Sequence, residues 1–403
     1  MLNFMKNKFL YRDIILYLYK IINGKFTPFL ENELDESKIY KKFQEIKIES
    51  RGNTYVLKLL NYLLKYYEFE KDVYLTNSGR DALYFILLNL RLKKKEIIIP
   101  SYSCLGLIEP ILELDFIPRF VDIDNELNPS FESIKKTIND NTALVIIPHL
   151  GGAFARDTFK ILSYCKKKKI LTVEDCCQAF GLKYNKMPIG TFADLSFFSS
   201  GVGKPIFTPG GGWIVTKKNY FKNFMMPNAS SYDLKNVYTQ FKKFNKKYSA
   251  NTLEILKTRF KDKLFSLFDT NKNYFKKQSI QLQKKTMHDL SAFMILDQLN
   301  KLEENILKRK RNVSLWKEKL EKNNNLEMIY SINSIYNKLY INSNYCGKRQ
   351  FIHNSIEVEN GYKPLHLRYD FIRYKTTSLS YTEKIWKRIY SLPVRPSLDI
   401  DMI

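Results

Sequence analysis

The 403-residue sequence predicts an α/β protein whose mostly parallel sheet is covered by helices on both faces. Two observations predict it. From Val73 to Val215, short apolar runs rich in β-branched and aromatic residues alternate with helical patterns. The chain is also too long for one small core, and its 44% of hydrophobic residues excludes disorder as its general state, so it fits a large domain plus a smaller one.

Residues 1 to 68 read as an N-terminal helical segment. Its first 26 residues are basic and apolar around Ile14–Tyr19, but they lack a small-residue cleavage site and a long enough apolar run. They therefore read as neither a signal peptide nor a span. A helix docking on the protein's own body is favoured over weak contact with a membrane surface.

Residues 69 to 216 carry the sheet. Val73 to Thr76 is a strand, Asn77 or Ser78 caps the next helix, and Ala82 to Leu88 continues it. Further strands are expected at Glu96–Ile99, Phe116–Val121, Ala143–Pro148, Leu171–Glu174, Asp194–Phe198 and Trp213–Val215. Helices such as Ser103–Leu114 and Asp157–Cys165 connect them.

Residues 217 to 285 change character, becoming lysine-rich with interleaved Phe and Tyr and few glycines, and read as a basic helical insertion. Residues 286 to 403 form the smaller unit. It begins with one long helical pattern from His288 to Leu320 and includes a strand at His366–Tyr369.

The formal charge of +25 invites a nucleic-acid reading, because clustered cations gain affinity by releasing counterions from phosphate. Here the lysines are spread along the whole chain, as in a compositional bias. No nucleic-acid partner is expected, although the basic field would steer anionic substrates inward. The five cysteines show no Cys-x-x-Cys spacing and the four histidines no His-x-x-x-His, so neither a metal site nor a disulfide framework is expected. This usage suits a reducing cytoplasm.

Chemistry gathers at three residues. Asp175 ends the apolar run Ile170–Glu174, Gln178 lies one helical turn later, and Lys204 sits in the glycine-flanked loop Ser199-Ser-Gly-Val-Gly-Lys-Pro205. Pyridoxal phosphate needs such a set. Its ring nitrogen stays protonated against a carboxylate, its aldehyde condenses with a lysine amine, and an amide can touch its phenolic oxygen. The coenzyme's phosphate suits a helix N-terminus, which Ser78 and Gly79 would supply with Arg80 as a charge partner.

The order of these motifs resembles the DegT-type sugar-nucleotide aminotransferases. The resemblance rests on Ser78-Gly79-Arg80, on Ile97-Ile-Ile-Pro-Ser-Tyr-Ser103, on Phe120–Asp124 and on His149–Gly152. It continues through Glu174-Asp-Cys-Cys-Gln-Ala179, Gly190–Asp194, Ser199 with Lys204 five residues on, and Gly211–Thr216. It implies the aspartate aminotransferase-like fold of pyridoxal phosphate-dependent transferases, with a mostly parallel large domain and a smaller α+β C-terminal domain.

It further implies Lys204 as Schiff-base lysine and proton shuttle, Asp175 at the ring nitrogen, Gln178 at the phenolic oxygen, Ser199 on the phosphate and Tyr102 in the pocket. The implied reaction moves an amino group from glutamate to a nucleotide-linked keto sugar for polysaccharide biosynthesis, in a homodimer. Cys176-Cys177 and Gly210 depart from residues common in that family, and Ser200 and Val202 are expected to leave the lysine loop looser. The Cys176-Cys177 pair is expected to pack, while the altered lysine loop and the short C-terminus favour the rival reading, an inactive relative that binds or regulates.

Overall fold

The computed structural model describes residues 30–31, 33–49, 53–226, 232–248, 282–321, 325–344 and 356–398. The readings for residues 1 to 26 and for much of the basic insertion lie outside them. Helices α1 (Glu36–Glu49) and α2 (Thr54–Tyr66) lead into strand β1 (Lys71–Thr76) and helix α3 (Gly79–Leu90). Next come β2 (Glu96–Pro100), α4 (Ile108–Glu113), β3 (Ile117–Val121), α5 (Phe131–Thr137), β4 (Thr142–Pro148), α6 (Thr158–Lys167) and β5 (Leu171–Asp175). A small hairpin, β6 (Lys183–Tyr184) and β7 (Met187–Pro188), precedes β8 (Leu195–Ser199) and β9 (Gly212–Lys217).

The large sheet has seven strands in the order β1-β9-β8-β5-β4-β2-β3. β9 runs antiparallel to both neighbours, and every other pairing is parallel. Both faces are covered, which explains the unbroken apolar runs: Ile97, Ile98 and Ile99 are all fully buried. Ile97 and Ile99 pack toward α3 with Phe85, Leu144 and Ile146, whereas Ile98, Val145 and Ile147 pack toward α6 with Ile161 and Cys165. A third cluster sets Phe198 and Trp213, stacked at 5.2 Å, against Leu59 and Leu63 of α2.

Helix α7 (Tyr232–Tyr248) lies within the lysine-rich stretch of residues 217 to 285. Helices α8 (Asp289–Leu299) and α9 (Leu302–Leu320) correct the single long helix expected there, because the chain breaks at Asn300 and Lys301. The break lets α8 bury Ala292 and Ile295 against the large sheet's cluster while α9 turns its Val313, Trp316 and Leu320 to a second sheet. That sheet is antiparallel, with β10 (Leu326–Ile329), β11 (Leu339–Ser343), β12 (Glu359–Asn360) and β13 (Ile389–Leu392) in the order β10-β11-β13-β12.

His366–Tyr369 is not a strand. Two 3-10 turns, Leu365–Leu367 and Tyr369–Tyr374, occupy this region, followed by α10 (Ser380–Ile385). Leu365, Phe371 and Leu379 bury against the large sheet, and His366 is held between Ser101 and Glu383. Alternation on paper was here the spacing of a docked turn. The helix expected from Ser103 likewise starts late, as a 3-10 turn over Leu105–Leu107.

Candidate active site

The parallel strands all end at one edge of the sheet, and β9 begins there. A cavity of about 370 Å³ opens at this edge, lined by Asn77 and Ser78 after β1, Cys104 after β2, His149 after β4, Asp175 at the end of β5 and Ser199 at the end of β8. Ligands of such sheets gather at strand carboxyl ends, where loops diverge and helix N-termini converge. Seven of the eight residues singled out in the sequence line this one cavity: Ser78, Gly79, Arg80, Asp175, Gln178, Ser199 and Lys204.

Helix α3 begins at the cavity wall. The Ser78 hydroxyl accepts the Asp81 N–H at 3.1 Å and donates to the Asp81 carboxylate at 2.8 Å, a reciprocal cap that fixes the first turn. Asp81 also accepts the N–H groups of Gln283 and Lys284, while burial pushes its carboxyl above the ordinary range. Gly79 and Gly212 admit no side chain. A Cβ on Gly79 would meet Ser199 Cβ at 2.9 Å and Cys177 Sγ at 3.0 Å, and one on Gly212 would meet the Ser78 carbonyl carbon at 2.5 Å. The helix N-terminus is thereby pressed against the ends of β8 and β9. Arg80 carries a 2.8 Å ion pair to Glu109, so part of its charge is already met within the protein.

Asp175 is set by its strand. Its carboxylate accepts the Cys177 N–H at 3.0 Å, and its carbonyl accepts the His149 N–H. Gln178 is fixed at both ends: its carbonyl accepts the Gly151 N–H and its amide donates to the Tyr362 hydroxyl, each at 2.8 Å. One amide hydrogen is left for a ligand. The thiols of Cys176 and Cys177 are buried, which raises both well above the ordinary cysteine range and makes them packing groups at neutral pH.

Behind Asp175 stands a buried device that the sequence showed only as part of a motif. Glu174 accepts four hydrogen bonds, from His149 Nε2 at 3.0 Å and from the N–H groups of Gly190, Phe192 and Ala193. His149 Nδ1 accepts the Ala155 N–H at 3.1 Å, which places the ring proton on Nε2, facing Glu174. His149, Glu174 and Cys176 lie close enough to suggest a metal triad. Both imidazole nitrogens and both carboxylate oxygens are nevertheless already spent within the protein.

The lysine loop is pinned rather than loose. Ser200 is fully buried, its N–H donates to the Gly211 carbonyl, and the Thr208 hydroxyl shares its single proton between the carbonyls of Ser200 and Gly210. The Gly203 carbonyl accepts from Asn337 at 2.9 Å. Ser200 thus fits a tight turn instead of freeing it. Lys204 projects into the cavity, and its amine makes no hydrogen bond or ion pair among the described residues.

Tyr102 is the exception among the singled-out residues. It is buried behind the wall with its ring edge-on to Tyr362 at 5.7 Å, and Gly361 is needed to make room for its hydroxyl. The residues of this turn that line the cavity are Ser103 and Cys104. Sequence reasoning also missed Lys338 and its ion-pair partner Glu359, Tyr362, Gln283 and Gln240. Each arrives from a distant part of the chain, so no local spacing could have shown it.

The donor set suits pyridoxal phosphate: an unpaired amine, a carboxylate at a strand end, an amide with a hydrogen to spare and a capped helix N-terminus pressed to the wall by two obligatory glycines. A model of the DegT/DnrJ/EryC1/StrS aminotransferase family matches residues 50–403. The chain is 35% identical to GDP-perosamine synthase of Escherichia coli O157:H7 over 173 residues, which is 42% of this chain and 46% of that protein. It thus spans about half the length of that curated relative. UDP-4-amino-4,6-dideoxy-N-acetyl-beta-L-altrosamine transaminase of Campylobacter jejuni is 24% identical over 348 residues, 82% of each chain.

Among solved structures, PseC of Helicobacter pylori, an aminotransferase involved in the biosynthesis of pseudoaminic acid, superposes with a TM-score of 0.70 at 19% identity. That match covers 94% of this chain and 96% of that one, and it fixes the fold as aspartate aminotransferase-like. With a family model spanning most of its length, the chain belongs to the DegT/DnrJ/EryC1/StrS aminotransferase family, whose enzymes depend on pyridoxal phosphate.

Proposed function

We propose that this protein is a pyridoxal phosphate-dependent aminotransferase that moves an amino group from glutamate to a nucleotide-linked keto sugar, in polysaccharide biosynthesis, as a cytoplasmic homodimer. The observation that carries the reading is the meeting of the Lys204 amine, the Asp175 carboxylate and the α3 N-terminus in one cavity. Its relatives' names supply the substrate class: a GDP-sugar synthase and a UDP-sugar transaminase.

Lys204 would hold the coenzyme through Nζ, Asp175 would face its ring nitrogen, Gln178 its phenolic oxygen, and Ser78, Gly79 and Ser199 its phosphate. When bound there, pyridoxal phosphate supplies an aldehyde that condenses with amines and a ring that accepts the charge left by a departing proton. The protein's own work is then positional and acid–base. A carboxylate at Asp175, facing the ring nitrogen, would favour a proton there. Lys204 Nζ, unpaired among the described residues, would be the group that takes up and returns a proton beside the reacting centre. The Glu174 and His149 pair holds the end of β5, and so Asp175, in register.

The pinned loop leaves the inactive reading without the looseness that favoured it. Borohydride treatment of the coenzyme-loaded protein, followed by peptide mapping, tests the assignment: the tag is expected on Lys204 and absent from the Lys204→Ala protein. Glutamate should bleach the visible absorbance of the loaded wild type, and turnover across a panel of nucleotide keto sugars should name the acceptor. A tag on another lysine, or on none, overturns the proposal.

A further inference from the structure

Helix α7, in the lysine-rich stretch of the chain, reaches the active site. Its apolar residues Leu234, Val237, Tyr238, Phe241 and Phe244 recur at helical spacing and pack on Leu34 just before α1, on Ile39 of α1 and on Leu290 and Met294 of α8. Phe207, three residues past Lys204, joins the same cluster, with its ring 4.8 Å from Phe244 and 5.2 Å from Tyr248. Gln298 of α8 then locks the Phe207 backbone, donating to its carbonyl and accepting its N–H, each at 2.8 Å. The helix is therefore bolted to the loop that carries Lys204.

From this fixed position Gln240 lines the same cavity as Lys204 and Asp175. Among the described residues its side chain makes only a 3.5 Å hydrogen bond to Asn236 on the preceding turn. Its carbonyl and one amide hydrogen remain unspent. Two cations on the wall are already matched, Arg80 by Glu109 and Lys338 by Glu359, whereas Gln240 offers a neutral donor and acceptor on a helix packed in place. That chemistry suits a hydroxyl or acylamino group, which can answer both halves of an amide, and it suits a diphosphate poorly, since a diphosphate only accepts.

We propose that Gln240 is a specificity-determining residue that reads a hydroxyl or acylamino group on the sugar ring of the substrate. Helix α7 thereby serves as a sugar-selecting wall. This rests on the aminotransferase reading, in which the sugar must reach Lys204 Nζ and so must pass α7.

The test uses the coenzyme-loaded full-length protein and calorimetric titration with UDP-N-acetylglucosamine, GDP-mannose and dTDP-glucose, each beside its free nucleoside diphosphate. For a sugar that wild type binds more tightly than its nucleotide, Gln240→Ala should weaken binding about tenfold, the loss of one hydrogen bond, and leave nucleotide affinity unchanged. Equal weakening for the free nucleotide, or no weakening, overturns the proposal. So does a wild type that prefers none of the three sugars over its nucleotide. Melting curves of the variant separate misfolding from lost contact. Failure of glutamate to bleach wild type sinks the parent reading separately.

Discussion

Replacing Glu174 by Gln tests whether a structural carboxylate holds the catalytic one. Glu174 is fully buried and accepts His149 Nε2 at 3.0 Å and Gly190 N–H at 3.2 Å on one oxygen, with Phe192 N–H at 2.9 Å and Ala193 N–H at 2.8 Å on the other. Glutamine keeps the shape but offers a single carbonyl, so in either orientation two of the four donors face an NH₂ group instead of an acceptor. Hydrogen bonds to a charged group contribute about 1.5–3 kcal/mol each, so the substitution should cost about 3–6 kcal/mol. That is a large share of the roughly 5–15 kcal/mol by which a typical protein is stable. Urea unfolding followed by the fluorescence of Trp213, which is buried against Phe198, reads it out. A loss below about 1 kcal/mol would refute the account of Glu174 as a four-way anchor.

Lys204→Ala should lower turnover by about 10²–10⁴-fold, the usual contribution of a positioned proton-transfer group, in a steady-state assay with glutamate. Wild-type rates would remove Lys204 from the chemistry. Gly79→Ala puts a methyl 2.9 Å from Ser199 Cβ and 3.0 Å from Cys177 Sγ and should destabilise the fold by about 1–3 kcal/mol and weaken coenzyme retention, measured by dialysis and absorbance. Iodoacetamide at pH 8 should label exposed Cys104 first among the described cysteines. Burial pushes the Cys165 thiol up to about 12, so only about 10⁻⁴ of it is thiolate at that pH, and labelling should rise only as pH climbs toward that value. Peptide mapping that finds Cys165 labelled as fast as Cys104 would contradict its burial.

Much of this site could be read from the chain because its parts are local. Asp175 follows its strand directly, Ser78 caps the helix that its own turn begins, and Lys204 sits one loop past β8. Strand identity and side-chain alternation fix such residues without knowledge of distant contacts. The failures share the opposite cause. Tyr102 stands beside residues that do reach the cavity, and only packing against Tyr362 and Gly361, about 260 positions away, turns it inward. His366–Tyr369 has the apolar rhythm of a strand because Leu365 and His366 dock on the large sheet, which supplies the partner that a pattern cannot name. The antiparallel sense of β9 was equally unreadable, since direction is a property of a pair of strands.

Division of labour within the cavity follows from where each group comes. The groups suited to the coenzyme stand on strand ends and on a helix N-terminus of the central sheet, positions whose geometry changes little unless the sheet itself is rebuilt. The group proposed to read the sugar stands on α7, a helix outside the sheet, where a change of exposed side chain costs the sheet little. The two are coupled at one place, where Phe207 packs on Phe244 and Tyr248 while Gln298 holds its backbone. A change in α7 that moves Phe244 should therefore reach Lys204 through only three intervening residues. Selectivity in this arrangement is bought close to the reacting amine, and substitutions on the buried face of α7 should disturb turnover where those at Gln240 disturb sugar affinity.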